Sequence, residues 1–231
     1  MNGTAMVLIA ALAFVGTHFL LSHPLRGPIV ARVGEKAFLG IYSIVAAATL
    51  LWLILAYLAA SPTVPLWPVG DGLWVIGSIV MLIASILLMG SLIRNPAFPN
   101  PDGVNPVPAE ARGVYAVTRH PMMWAFALWG VSHILVYPVA ANIIVSIAII
   151  VLALVGATLQ DRKKRLLQPE SWAAWQARTS YWPFAAIASN RARFGGFGAH
   201  ALGGGLVLWL AATWAHIPIA GWPAGLWKWV V

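Results

Sequence analysis

From Leu73 to Ile93 the chain runs for 21 residues without one ionisable side chain. Roughly 18 apolar residues in a row are enough to cross the hydrocarbon of a bilayer. A backbone in hydrocarbon must satisfy its own N–H and C=O groups, so such a run folds as a helix. Comparable apolar stretches cover about 4–21, 37–60, 120–137, 139–159 and 199–216. With 61% hydrophobic and 9% charged residues and a mean hydropathy of +0.83, little is left from which to build a soluble surface. The expectation is an all-α, polytopic membrane bundle of about six transmembrane helices, forming a single domain over 1–231. The first apolar run lacks a basic leader, which predicts a retained helix rather than a removed signal.

The net charge of +8 is read through that topology. Placing the N-terminus outside puts 22–36, 94–119 and 160–198 inside, with 13 of the 14 Lys and Arg residues. Shifting by one helix would put nearly all of them outside. The positive-inside bias therefore predicts both termini on the periplasmic side of a bacterial inner membrane. The same bias makes membrane lipids the partner of the basic charge and leaves no nucleic acid to explain. Cysteine is absent, which excludes disulfides, thiolate haem ligation, iron–sulfur clusters and cysteine nucleophiles.

Punctuation between the runs is clear. Ser22-His23-Pro24 ends the first helix. Residues 61–68 form an extended turn, and 94–101, rich in Pro and Asn, an irregular loop. Residues 169–178 read as a short amphipathic helix whose tryptophans suit the headgroup region. The triple glycine 203–205 weakens the last helix.

Two histidines stand inside apolar runs, where a polar side chain is costly and points to function. His18 lies about 14 residues into a helix that starts outside. His133 lies 13 residues beyond His120 on a helix that starts inside. At ~1.5 Å per residue each is roughly 20 Å along its helix, so the two are expected to meet near mid-bilayer. Facing imidazoles suit a six-coordinate haem, an interhelical hydrogen bond or another metal. His23, His200 and His216 read as interfacial, solvated residues. At the start of the fourth long helix, Arg119-His120-Pro121 combines cations with free helix amides, an arrangement that holds anions. Asp161, among cations, is a candidate pin for Arg162 or Arg119. Trp124 and Trp129 flank His133 and read as packing residues that a haem or polyene pocket would also use.

His18 with Leu25-Arg26, Arg119-His120-Pro121-Met122-Met123-Trp124, Trp129-Gly130-Val131-Ser132-His133, Asp161-Arg162 and 172–184 together resemble the NnrU family over about 5–190, with a further C-terminal helix at about 199–216. That resemblance implies a link to nitrite and nitric oxide metabolism. It also implies kinship with the plant zeta-carotene isomerase, a haem b enzyme acting on a cis-carotenoid. His18 and His133 match its axial ligands. Arg119, Arg26, His120 and Trp129 would then border the cofactor, with a polyene or diatomic ligand and an electron donor as partners. The plant enzyme has cysteine where this chain has Gly130. A more distant likeness, through Arg119, His120, Glu170 and Tyr181, is to S-adenosylmethionine-dependent membrane methyltransferases. A non-enzymatic factor for denitrification enzymes is the third reading.

Overall fold

A computed structural model describes residues 2–61, 63–100 and 105–231. Pro62 of the expected turn and Pro101 of the expected loop lie outside these. Among the described residues the chain is helical: α1 (Gly3–Ser22), α2 (Arg26–Val33), α3 (Glu35–Ala59), α4 (Asp71–Ser91), α5 (Val114–Val117), α6 (Pro121–Val136), α7 (Ala140–Leu167), α8 (Pro169–Arg178), α9 (Ala185–Ala188) and α10 (Ala199–Ala220), then a 3-10 turn at Gly225–Trp229. Five helices, α1, α3, α4, α7 and α10, are long and apolar enough to span a membrane; α6, with 16 residues, is apolar but shorter. The protein is an all-α polytopic bundle.

The long helices form a row. Pairwise packing runs α10 on α4, α4 on α6, α6 on α7, α7 on α1 and α1 on α3. Glycines bring neighbours together, as expected where no hydrophobic force separates helix from lipid. A Cβ on Gly205 of α10 would sit 2.7 Å from Ile86 Cα of α4, and one on Gly130 of α6 would sit 2.8 Å from Ser146 O of α7. Gly205, from the triplet expected to weaken the last helix, is thus a contact that seats it.

Helix ends follow from the sequence. Asn2 accepts from Thr4 N at 3.0 Å and caps α1. Pro121 and Pro169 occupy first-turn positions of α6 and α8, where a missing N–H does no harm. At the end of α6, Asn142 Nδ2 adds bonds to His133 O at 2.9 Å and Tyr137 O at 2.6 Å. α7 continues two turns beyond the expected 159 and carries the basic run 162–165. The expected interfacial tryptophans of α8 are instead core: Trp172 and Trp175 are fully buried against α4 and α5 residues such as Leu87 and Tyr115.

Candidate functional site

The basic end of the bundle is tied together at Asp161, on the extension of α7. The chain before α6 is extended at Thr118 and turns at His120, which caps the helix. This projects Arg119 and His120 toward α7. Arg119 donates from Nε to both Asp161 oxygens at 3.0 and 2.8 Å, and its Nη2 pairs with Oδ2. His120 Nε2 donates to Oδ1 at 2.9 Å, and Trp172 Nε1 donates to the same oxygen at 3.3 Å. The Asp161 side chain is 4% exposed and that of Arg119 is 11% exposed, so this is a buried, charge-assisted pair.

The segment 179–184 closes over it. Thr118 Oγ1 and Trp124 Nε1 both donate to Tyr181 O, at 2.7 and 3.0 Å. The Tyr181 hydroxyl donates to Leu154 O at 2.7 Å, and its ring lies 6.0 Å from the Arg119 guanidinium and 5.8 Å from the His120 ring. Of the two expected partners for Asp161, the structure selects Arg119. The expected anion-holding role of Arg119 finds a resident anion in Asp161. Arg26 is likewise engaged: its Nη2 donates to both Glu35 oxygens at 2.7 Å.

Beside this knot lies a cleft of about 380 Å³ between α1, α3, α6 and α7. Its walls are mainly apolar: Phe14, Leu50, Phe126 and Ile149 among others. His18 projects into it from α1. The ring is held by Nδ1–H donation to Phe14 O at 2.7 Å and by edge contacts with Phe14 and Tyr42. Fixing Nδ1 as the donor leaves Nε2 with its lone pair, the state in which an imidazole ligates a metal. At the basic mouth stand Lys163 and His23; the His23 Nε2 is buried and without a partner. Met123 of α6 and Tyr42 of α3 also border the cleft. Lys163 stood out only as part of a basic run and Met123 only as part of the Arg-His-Pro motif; neither they nor Tyr42 could be tied to His18, because only the packing of four helices brings them there.

His133 is elsewhere. It lies toward the opposite end of α6, with Nδ1 donating to Trp129 O at 2.8 Å and its ring 4.0 Å from that of Trp129. Its other ring neighbour is His216 of α10, at 6.2 Å. Both α1 and α6 have their basic-side ends beside α7 near residues 160–163. Counting up from Ser22 and from Pro121 at ~1.5 Å per residue, His18 is about 6 Å and His133 about 18 Å from that end. One metal holds two imidazole nitrogens only about 4 Å apart. The expected meeting of His18 and His133 near mid-bilayer is therefore not what the packing gives: the two imidazoles stand about 12 Å apart in depth. Among the described residues there is no group of three or more His, Cys, Asp or Glu side chains suited to a metal ion.

No curated protein and no solved structure matches this sequence. A family described as NnrU protein matches residues 6–224, which takes in α10 as well as the motif-bearing helices α1, α6 and α7. The chain belongs to the NnrU family.

Proposed function

We propose that this NnrU protein is a haem b-binding integral membrane protein, with the cofactor in the α1/α3/α6/α7 cleft and His18 as its protein ligand. The observation that carries the reading is the His18 ring itself. It is fixed through Nδ1, presents an open Nε2 to an apolar cleft, and has Lys163 and His23 at the mouth. An amphiphile with an apolar face and two carboxylates suits that division: hydrocarbon walls below, a lysine and an imidazole at the interface. Ferrous haem with one protein ligand supplies a free coordination position, the chemistry needed to take up a diatomic molecule or to contact a polyene.

In this reading each residue has a limited task. Phe14 holds His18 in one tautomer through its carbonyl. Phe126, Leu50 and Ile149 would shield the bound group from water. Lys163 and His23 hold the charged edge. With the basic face in the cytoplasm, the carboxylates lie on that side and both termini are periplasmic. The link to nitric oxide metabolism and the cis-carotenoid isomerase activity both remain outlets of this one site. The methyltransferase reading gains no support from the geometry, because Arg119, His120 and Tyr181 are committed to the Asp161 knot and α8 carries Glu170 at an exposed position.

The test is optical. Purified protein reconstituted with haem b is expected to give a Soret band that shifts on dithionite reduction and again on addition of nitric oxide. His18→Ala is expected to abolish it, and His133→Ala to retain it. Loss of the band in both variants would restore the paired-ligand reading. A wild-type protein that binds no haem would end the proposal.

A further inference from the structure

A second cavity opens on the basic face, on the side of α6 remote from His18. It encloses about 1020 Å³ between the end of α4, the segment 108–115, the end of α8, the segment 191–198 and the start of α10. Five arginines line it: Arg94, Arg112, Arg178, Arg191 and Arg193. Glu110 is the one carboxylate among the described residues of its wall, and it pairs with Arg112 at 2.6 Å.

The other four guanidiniums meet no carboxylate among the described residues. Arg178 and Arg191 are braced by main-chain carbonyls; Arg178 donates to Ala109 O, and Arg191 donates to Thr179 O at 2.9 Å. Such bonds orient the guanidinium without neutralising it. Among the described residues Arg94 and Arg193 have no bonded partner. Arg94 is moreover held at φ +51°, a left-handed backbone that a non-glycine residue adopts only when its surroundings impose it.

A topological bias alone asks only that cations lie on this face. It does not ask that four separate segments converge five arginines on one concavity. Four uncompensated guanidiniums repel one another, and an anion with several oxygens relieves that repulsion. Arginine's planar fork matches phosphate oxygens two at a time. The wall is not purely polar either: Ile93, Val114, Tyr115 and Phe197 line its inner side.

We propose that this cavity is a binding site for a phosphate monoester, with Arg94 and Arg193 as its free anchoring cations and Arg178 and Arg191 as preset ones. The ester is either the headgroup of an anionic lipid or a water-soluble phosphate.

Protein in a neutral detergent is titrated with inorganic phosphate, glycerol 3-phosphate and dioctanoyl phosphatidic acid. Binding is read by calorimetry and by the thermal midpoint from tryptophan fluorescence. The wild type is expected to bind at least one ester. Arg94→Gln/Arg193→Gln is expected to bind about tenfold more weakly, for the loss of charge-assisted bonds. Arg32→Gln, a cation on the same face but outside the cavity, is expected to bind as the wild type does. If the double variant does not fold, Arg193→Gln alone carries the comparison. Binding of phosphatidic acid without glycerol 3-phosphate supports the site as one for a lipid headgroup. Binding of both supports it as one for a free phosphate ester. Absence of binding by all three probes overturns the site, as does an affinity unchanged in the arginine variants or lowered equally by Arg32→Gln.

Discussion

The Asp161 knot and the His18 cleft lie side by side at the basic end of one bundle, and they treat their polar atoms in opposite ways. In the knot the carboxylate is fully engaged. Two oxygens of Asp161 take an arginine, an imidazole and an indole, and the backbone of 179–184 takes the hydroxyls and amides around them. In the cleft, His18 keeps an open Nε2 and His23 has a buried Nε2 with no partner. Burying a polar group without a hydrogen bond costs about 1–3 kcal/mol. The first region is thus a network of mutually bonded side chains, and the second an apolar slot with two imidazoles on its wall.

Asp161→Ala breaks the comparison from the structural side and carries the largest expected effect. It leaves Arg119 and His120 buried without their counter-charge, which is worth about 3–5 kcal/mol for a buried pair. Denaturant unfolding of the protein in detergent is expected to show that loss, together with release of 179–184 in hydrogen exchange. A change below about 1 kcal/mol would mean that the knot is relaxed and solvated, and its assignment as structure would fall.

The contrast also separates what was readable in advance from what was not. The helices were legible because hydrocarbon leaves a backbone few options: α8 coincides with the expected 169–178, and α4 and α6 match within two residues. Asp161 was legible as a lone acid among cations, and only its choice of Arg119 had to come from geometry. The partner of His18 was not legible. Helical rise along each chain predicts depth, but not which face of α6 turns toward α1, nor that α7 stands between them. Local composition also misled at α8, where Trp172 and Trp175 have the pattern of interfacial residues yet fill the core. The short α2 went unread because Arg26 and Arg32 mask its helical period, and the Arg26–Glu35 pair that pins its start to α3 is a tertiary contact.

Gly130 sharpens the comparison in between. It is a packing residue on α6. A Cβ there would come within 2.7 Å of Ile150 Cγ1 and 2.8 Å of Ser146 O. Gly130→Cys is expected to destabilise by about 1–3 kcal/mol through overpacking, without conferring a thiolate ligand. Thermal unfolding measures the first part. An absorption spectrum unchanged from that of the reconstituted wild type measures the second. A spectrum altered by the cysteine would show that this face of α6 borders the iron after all.

His18→Leu asks whether the cleft can lose its polar group without harm to the fold. In the knot, removing one polar group strands several others. In the cleft, His18 is bonded only to the carbonyl of its own preceding turn, and that carbonyl already accepts within the helix. Its ring touches Phe14 and Tyr42, contacts that leucine partly replaces. The stability change without cofactor is therefore expected to stay within about 0.5 kcal/mol. Cofactor-dependent stabilisation, measured as the rise in thermal midpoint on adding haem b, is expected to vanish completely, because ligand binding stabilises only while the native state holds its ligand. A variant that unfolds as readily as Asp161→Ala would make His18 part of the same structural network, and the distinction between the two regions would be lost.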